Sequence, residues 1–93
     1  MQFQNSNSEA RGVITAKDRD KEAGKINYSI SEEQKLTIEH TEVDPDYQGQ
    51  GVGKKLVDEA TDFARKNNMK IIPKCPYARK IMERADKYKD VLA

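Results

Sequence analysis

The sequence predicts a mixed α/β domain: an antiparallel three-strand meander, a parallel β-α-β unit and a C-terminal helix. Three observations carry this. Apolar and polar residues alternate over "KINYSIS" and "KLTIEHTEV", the period of a strand with one buried face. From Val52 the apolar positions fall three and four apart, the period of a helix. Between these two periods stands "DPDYQGQGVGKKL", with three glycines in five residues.

The elements follow in order. "MQFQNSNSEA" is polar and rich in Asn and Ser, so residues 1–10 are expected to form a flexible tail, joining the first strand near its end at most, and 11–93 the domain. "RGVITAKD" is the first strand and "RDKEAG" a charged turn ending at Gly24. In the second strand Ile26, Tyr28 and Ile30 share one face, with Asn27 and Ser29 on the other. In the third, Leu36, Ile38, His40 and Glu42 are expected on one face, opposite Thr37, Glu39, Thr41 and Val43. The helix buries Val52, Leu56, Val57, Ala60, Phe63 and Ala64 and stops at Asn67–Asn68, since Asn tolerates left-handed geometry. "MKIIPKC" is a short strand of buried type. Pro76 suits the first position of a second helix, and "DKYKDVLA" forms a helical or turn-like tail.

Composition narrows the function. Of 93 residues 35% are hydrophobic and 35% charged, with no Trp and two Phe, so the core is thin and built from Ile, Val, Leu and Ala. Seventeen basic and 16 acidic residues leave a net charge of +1, against the strongly basic face that non-specific nucleic-acid binding requires. One cysteine, Cys75, excludes an internal disulfide and fits a reducing compartment. One Cys and one His are too few for a zinc site, and no metal is expected. No run approaches the roughly 18–20 apolar residues of a membrane span, and the N-terminus has no signal pattern. A cytoplasmic protein without a membrane partner, monomeric or weakly dimeric, is expected.

The segment from Lys35 to Cys75 reads as strand, glycine loop, helix, strand, which closes as a parallel pair with a right-handed crossover. Ligands of such units sit where the strand ends and the helix begins. There the first helical turn leaves about four N–H groups unpaired and carries partial positive charge. Glycines let that backbone approach an anion, and Lys54 and Lys55 add charge. Spacing narrows the kind of anion. The P-loop pattern fails, because Gln48 stands five residues before Gly53 and Lys55 follows Lys54 in place of a hydroxyl. The dinucleotide pattern GxGxxG fails as well, with Lys54 where its third glycine belongs.

What fits is Gln48-x-x-Gly51-x-Gly53, which resembles the Q/R-x-x-G-x-G/A signature of the GNAT (GCN5-related) acetyltransferase superfamily. "IEHTEVDPDYQGQGVGKKLVDEA" with "KIIPKCPYARKIMER" is similar to a small GNAT-like subfamily over residues 12–92. The resemblance implies a minimal GNAT fold with acetyl-CoA or CoA as ligand. It implies cofactor contacts from Val43, Gln48, Gly49, Gln50, Gly51, Val52, Gly53, Lys54, Cys75 and Tyr77. The acceptor would be an amine, small or a protein lysine.

The chain departs from ordinary members in two ways. Only a turn separates its first two strands, so the acceptor side is pared down. Ordinary members also follow the last core strand with N-x-x-A-x-x-x-Y, whose Asn contacts CoA and whose Tyr protonates the leaving thiolate. Aligned on Ala78, those positions hold Cys75 and Met82, and Met is no acid.

Cys75, at or beside the N-cap of the second helix, is the candidate catalytic thiol, with a pKa lowered by the helix N-terminus and Lys74; the alternative is a small buried strand-end residue. His40 is a candidate base, or a half-buried structural imidazole. Glu42 and Glu39 are further base candidates. Pro73, which cannot donate a ladder hydrogen bond, suits a splay between the two parallel strands, or an early strand end. Two readings follow. One is an acetyl-CoA-dependent N-acetyltransferase of minimal size, the other a CoA-binding module with little or no transferase activity.

Overall fold

Strand-period and helix-period sequence separate cleanly along the chain in the computed structural model, which describes residues 1–93. Strands β1 (Gln2–Ser8), β2 (Arg11–Asp18), β3 (Lys21–Ile30) and β4 (Lys35–Val43) form an antiparallel meander, and β5 (Lys70–Pro73) adds to β4 in parallel. The sheet order is β1-β2-β3-β4-β5. Helix α1 (Val52–Lys66) makes the crossover between β4 and β5, and α2 (Pro76–Glu83) follows. The expected mixed α/β fold is present, with one strand more than the sequence reading allows.

That extra strand corrects the flexible tail. Residues 2–8 pair with β2 along their whole length, from Gln2↔Lys17 to Ser8↔Arg11. Tyr28 explains how so polar a segment is held. Its ring crosses β2 over Gly12, where a β-carbon would fall 2.3 Å from the ring. Its hydroxyl donates to Asn5 Oδ1 at 2.6 Å and accepts from Asn7 Nδ2 at 3.4 Å. Phe3 adds an apolar anchor against the core. The turn before β3 is likewise shorter than expected, because Lys21–Ala23 belong to the strand.

Both helices lie on one face of the sheet. Ile14 and Ala16 of β2, Ile26 and Tyr28 of β3, and Leu36 and Ile38 of β4 meet Val52, Leu56, Val57, Ala60 and Ala64 of α1 in one core. Of the positions the period predicts, Val52, Leu56, Val57, Ala60 and Ala64 are buried and Phe63 is only partly so; Gly53 and Thr61 join them, the Thr61 hydroxyl donating to the Val57 carbonyl at 2.9 Å. Asn67 caps the helix and Asn68 takes φ +55°, as expected for a helix stop. Beyond α2, Tyr88 is buried with its hydroxyl on Asp58 Oδ1 at 2.5 Å, and Leu92 bridges to Ile71 at the outer edge of β5. No helix is long and apolar enough to cross a membrane.

The other face of the sheet is bare and polar, bearing Lys25, Asn27 and Ser29 from β3. A bulge in β4 decides what joins them. Tyr28 pairs with Ile38 but Asn27 with His40, so Glu39 is an extra residue and the alternation reverses beyond it. Thr41 and Val43 therefore turn to the helix side, across from Ile26 and Gly24. His40 and Glu42 turn to the bare face, which corrects the expected grouping of both with Leu36 and Ile38. An inserted residue leaves an alternating pattern looking continuous while changing its phase.

Candidate functional site

The sheet opens where β5 stops. The parallel ladder runs from Lys35↔Lys70 to Ile38↔Pro73, and the Cys75 N–H then donates to the Ile38 carbonyl at 3.1 Å. Pro73 has no N–H to extend the ladder. β4 continues to Val43 without a partner on that side, while the chain turns away into α2. The cleft left between them, about 370 Å³, is lined by Thr41, Val43, Tyr47, Gln48, Gly49, Gly51, Val52, Gly53 and Tyr77.

The loop above the cleft is pinned from below. Asp44 Oδ1 accepts from the Asp46 N–H at 2.9 Å and starts a short 3-10 turn over Pro45–Tyr47. Lys21 pairs with Asp46 at 2.5 Å, and the Tyr47 hydroxyl donates to Asp18 at 2.9 Å. The loop is thus tied to the β2–β3 hairpin. Gly49 and Gly51 then take φ +84° and +77°, and nothing lies within 4 Å of where their β-carbons would stand. These two glycines are required by backbone conformation, and the space above them is open.

Gly51 is the N-cap of α1 and supplies no side-chain cap. The Lys55 N–H bonds the Gly51 carbonyl at 3.0 Å, which leaves the N–H groups of the preceding turn to a ligand or solvent. The helix dipole makes that turn positive. Its third glycine differs from the other two: a β-carbon at Gly53 would lie 2.1 Å from the Tyr77 hydroxyl. Tyr77 is 47% exposed and stands against the first turn of α1.

Cys75 is the N-cap of α2, as its place before Pro76 predicts, and is 8% exposed. Burial pushes its thiol pKa up. The N–H of Ala78, the Thr41 side chain, the N–H of Tyr77 and the Thr41 backbone together outweigh burial and bring it below the ordinary value. Thr41 Oγ1 is buried and has no hydrogen-bond partner. It lies near enough to the sulfur to favour the thiolate, but short of hydrogen-bond geometry.

His40 and Glu42 lie on the far side of β4. His40 Nε2 is 3.0 Å from Glu42 Oε1, and Lys25 Nζ is 3.8 Å from the same carboxylate. Both side chains are exposed, so the pair adds little stability. A second cavity of about 500 Å³ lies here, lined by Glu22, Gly24, His40, Glu42, Asp44 and Pro45. It shares Thr41, Val43 and Gln48 with the first cleft. The two cavities therefore meet through the unpaired end of β4.

Of the candidate site residues, Val43, Gln48, Gly49, Gly51, Val52, Gly53 and Tyr77 line one cleft, with Cys75 against Thr41 beside it. Gln50 bonds the Asp46 carbonyl at 3.3 Å instead of lining the cleft. Lys54 faces a neighbouring groove. Glu39, the bulged residue, lies with His40 in a hollow toward β1. Sequence reasoning missed Thr41 and Tyr47. The bulge hides the first, and no motif flags the second.

The chain matches the GCN5-related N-acetyl-transferase family over residues 12–91. It is 33% identical to a Staphylococcus aureus protein assigned as a GCN5-like N-acetyltransferase, over 97% of this chain and 87% of that one, with a TM-score of 0.71. A Bacillus anthracis protein assigned as a streptothricin acetyltransferase, in complex with acetyl coenzyme A, is 29% identical over 70% of this chain and 38% of that one, with a TM-score of 0.62. The ribosomal-protein-S18-alanine N-acetyltransferase of Escherichia coli shares the fold, with a TM-score of 0.70 at 22% identity over 84% of this chain and 53% of that one. The chain thus spans most of the first relative and about half or less of the other two. No curated protein sequence matches it.

Proposed function

The chain belongs to the GCN5-related N-acetyltransferases, and from that premise we propose that it transfers acetyl from acetyl-CoA to an amine across the open end of β4. The observation that carries this reading is the pair of cavities on opposite faces of the sheet sharing Thr41, Val43 and Gln48. One suits an acyl donor and the other an acceptor.

The donor side fits CoA by its chemistry. The uncapped first turn of α1 and the open space over Gly49 and Gly51 suit a pyrophosphate. The unpaired edge of β4 at Val43 suits the amides of a pantetheine arm. Acetyl-CoA is the co-substrate and supplies the acetyl thioester. The acceptor cavity carries Glu22, Glu42 and Asp44, a setting for a cationic amine, whether a small molecule or a lysine side chain. An ammonium must lose a proton before it can attack. Glu42, hydrogen-bonded to His40, is the group we assign to take that proton. The amine nitrogen then bonds the acetyl carbon, the carbon–sulfur bond breaks, and the CoA sulfur leaves as thiolate.

Cys75 replaces the tyrosine acid. Its pKa, lowered despite burial, makes it a stronger acid than an ordinary thiol, so its S–H can give a proton to the departing CoA sulfur. The N–H groups of Ala78 and Tyr77 acting on its sulfur favour a second route, in which Cys75 thiolate bonds the acetyl carbon and expels CoA thiolate, and the deprotonated amine then bonds that carbon and expels Cys75 thiolate. Incubating the protein with acetyl-CoA and a panel of amines while following free thiol tests the function. Amine-dependent thiol release supports transfer. Binding of acetyl-CoA without release by any amine leaves a CoA-binding module.

A further inference from the structure

We propose that the acceptor lies along the bare face of the sheet from His40 to Arg11, and that Arg11 selects amines whose far end is a carboxylate, namely short peptides with both termini free. This rests on the acetyl-transfer reading above and names an acceptor class for it.

The strand register builds the path. His40, Asn27, Val13 and Ser6 are directly opposed across β4, β3, β2 and β1, so all four share the bare face. Thr37, Ser29, Arg11 and Ser8 form the next row on that face. A hollow of about 540 Å³ runs along these rows, lined by Ser6, Ser8, Arg11, Asn27, Glu39 and His40. His40 also lines the acceptor cavity beside Glu42, so hollow and cavity are continuous.

Charge along the path is one-sided. Glu22, Glu39, Glu42 and Asp44 gather at the β4 end. Arg11 is the one arginine or lysine lining either space, and it takes part in none of the chain's ion pairs. Lys25, on the same face, is already held by Glu42 at 3.8 Å. Between the two ends the lining is neutral. Asn27, Ser6 and Ser8 make no side-chain hydrogen bond within the chain. Asn5 and Asn7, on the other face of β1, are both held by the Tyr28 hydroxyl.

Carboxylates, then neutral amide and hydroxyl groups, then a guanidinium complement an ammonium, peptide groups and a carboxylate in that order. Arg11 lies two strands from His40 and one row along, about 10 Å across the sheet and about 7 Å along it. An extended chain covers about 3.4 Å per residue, so a peptide of about three residues joins the two ends. A guanidinium takes a terminal carboxylate through two parallel hydrogen bonds. At the other end Glu42 takes a proton from the α-ammonium, and transfer proceeds as described above.

The test follows thiol release from acetyl-CoA with trialanine and with its C-terminal amide, in the unmodified chain and in Arg11→Gln and Arg11→Lys. Arg11 is exposed, and circular dichroism with acetyl-CoA calorimetry checks that each variant keeps its fold and its donor site. The expected result is a KM for trialanine lower than for the amide by about fivefold, the upper end for an exposed ion pair. The difference should narrow as salt is raised. Arg11→Gln should erase it through KM and leave kcat in place, while Arg11→Lys retains part of it, since lysine keeps the charge without the fork. Equal KM values in the unmodified chain overturn the inference, as does a preference for the free carboxylate that survives Arg11→Gln. Acetylation of a simple alkylamine but of neither peptide overturns it while leaving acetyl transfer intact. Binding of acetyl-CoA with no thiol release by any amine overturns the acceptor class and the transfer reading together.

Discussion

A β-carbon at Gly53 would fall 2.1 Å from the Tyr77 hydroxyl and 2.5 Å from its ring. The last glycine of the loop therefore serves a purpose different from the two before it. Gly49 and Gly51 turn the backbone, and Gly53 makes room for an aromatic ring of α2 beside the cleft. Alanine at this position should keep the fold, because it gains about 1 kcal/mol of helix propensity and the half-exposed ring can swing outward. It should weaken CoA binding by displacing Tyr77. Gly53→Ala combined with Tyr77→Ala should then bind no worse than Tyr77→Ala alone. Calorimetry on the three variants decides this, and unchanged affinity in Gly53→Ala would remove Tyr77 from the site.

Gly51 makes the opposite kind of prediction. Its missing β-carbon has empty space around it, but its φ of +77° excludes a branched side chain. Gly51→Val should cost about 1–2 kcal/mol from forced left-handed geometry and abolish acetyl-CoA binding. Gly51→Asn should retain more of the stability, since Asn tolerates that region. A folded Gly51→Val protein with normal affinity would mean that the loop is only a connection.

Thr41 carries a buried hydroxyl oxygen with no partner. An unsatisfied buried polar group costs about 1–3 kcal/mol, so Thr41→Val, close in shape, should leave thermal stability equal or higher. The same substitution should raise the Cys75 pKa, because the hydroxyl favours the thiolate. Amine acetylation should slow. Lower stability with an unchanged alkylation profile would make Thr41 a packing residue.

Cys75 should titrate below an ordinary thiol. Its native pKa is lowered despite burial, so the native state forms thiolate at a lower pH than the unfolded chain does. This contribution to stability is complete above the unfolded thiol value of about 8.5 and is lost as pH falls through the lowered native value. Iodoacetamide alkylation, which needs the thiolate, should reach half its limiting rate below pH of about 8.5, and bound CoA should slow it. Cys75→Ser should keep CoA affinity within a few-fold, while any turnover falls by roughly 10² or more. Intact mass after acetyl-CoA alone separates the two routes: a single acetyl adduct absent from Cys75→Ser indicates the covalent one. A profile at or above the free-thiol range would make Cys75 structural.

What could be read from the sequence, and what could not, follows from how far each signal reaches along the chain. The helix period and the glycine spacing are local, so α1, its glycine-bearing N-terminus and Cys75 at the cap of α2 are all legible. β1 was not, because its residues are polar and its hold comes from Tyr28, more than twenty residues away. Glu39 shows the other limit. An inserted residue preserves the look of alternation while reversing every side chain after it. The reversal carries His40 and Glu42 to the bare face and Thr41 to the helix side, which the alternation alone does not reveal.

Acetyl-CoA is expected to lie in the splay between β4 and β5 with its phosphates on the first turn of α1. Amide chemical-shift mapping during titration with acetyl-CoA tests it most directly. The largest changes are expected at Val43, at Gln48 through Lys54 and at Tyr77, with only small changes at the β2–β3 hairpin tip, and much weaker effects from ATP and NAD. Shifts of equal size with ATP, or changes that spare the Gln48–Lys54 loop, would contradict it.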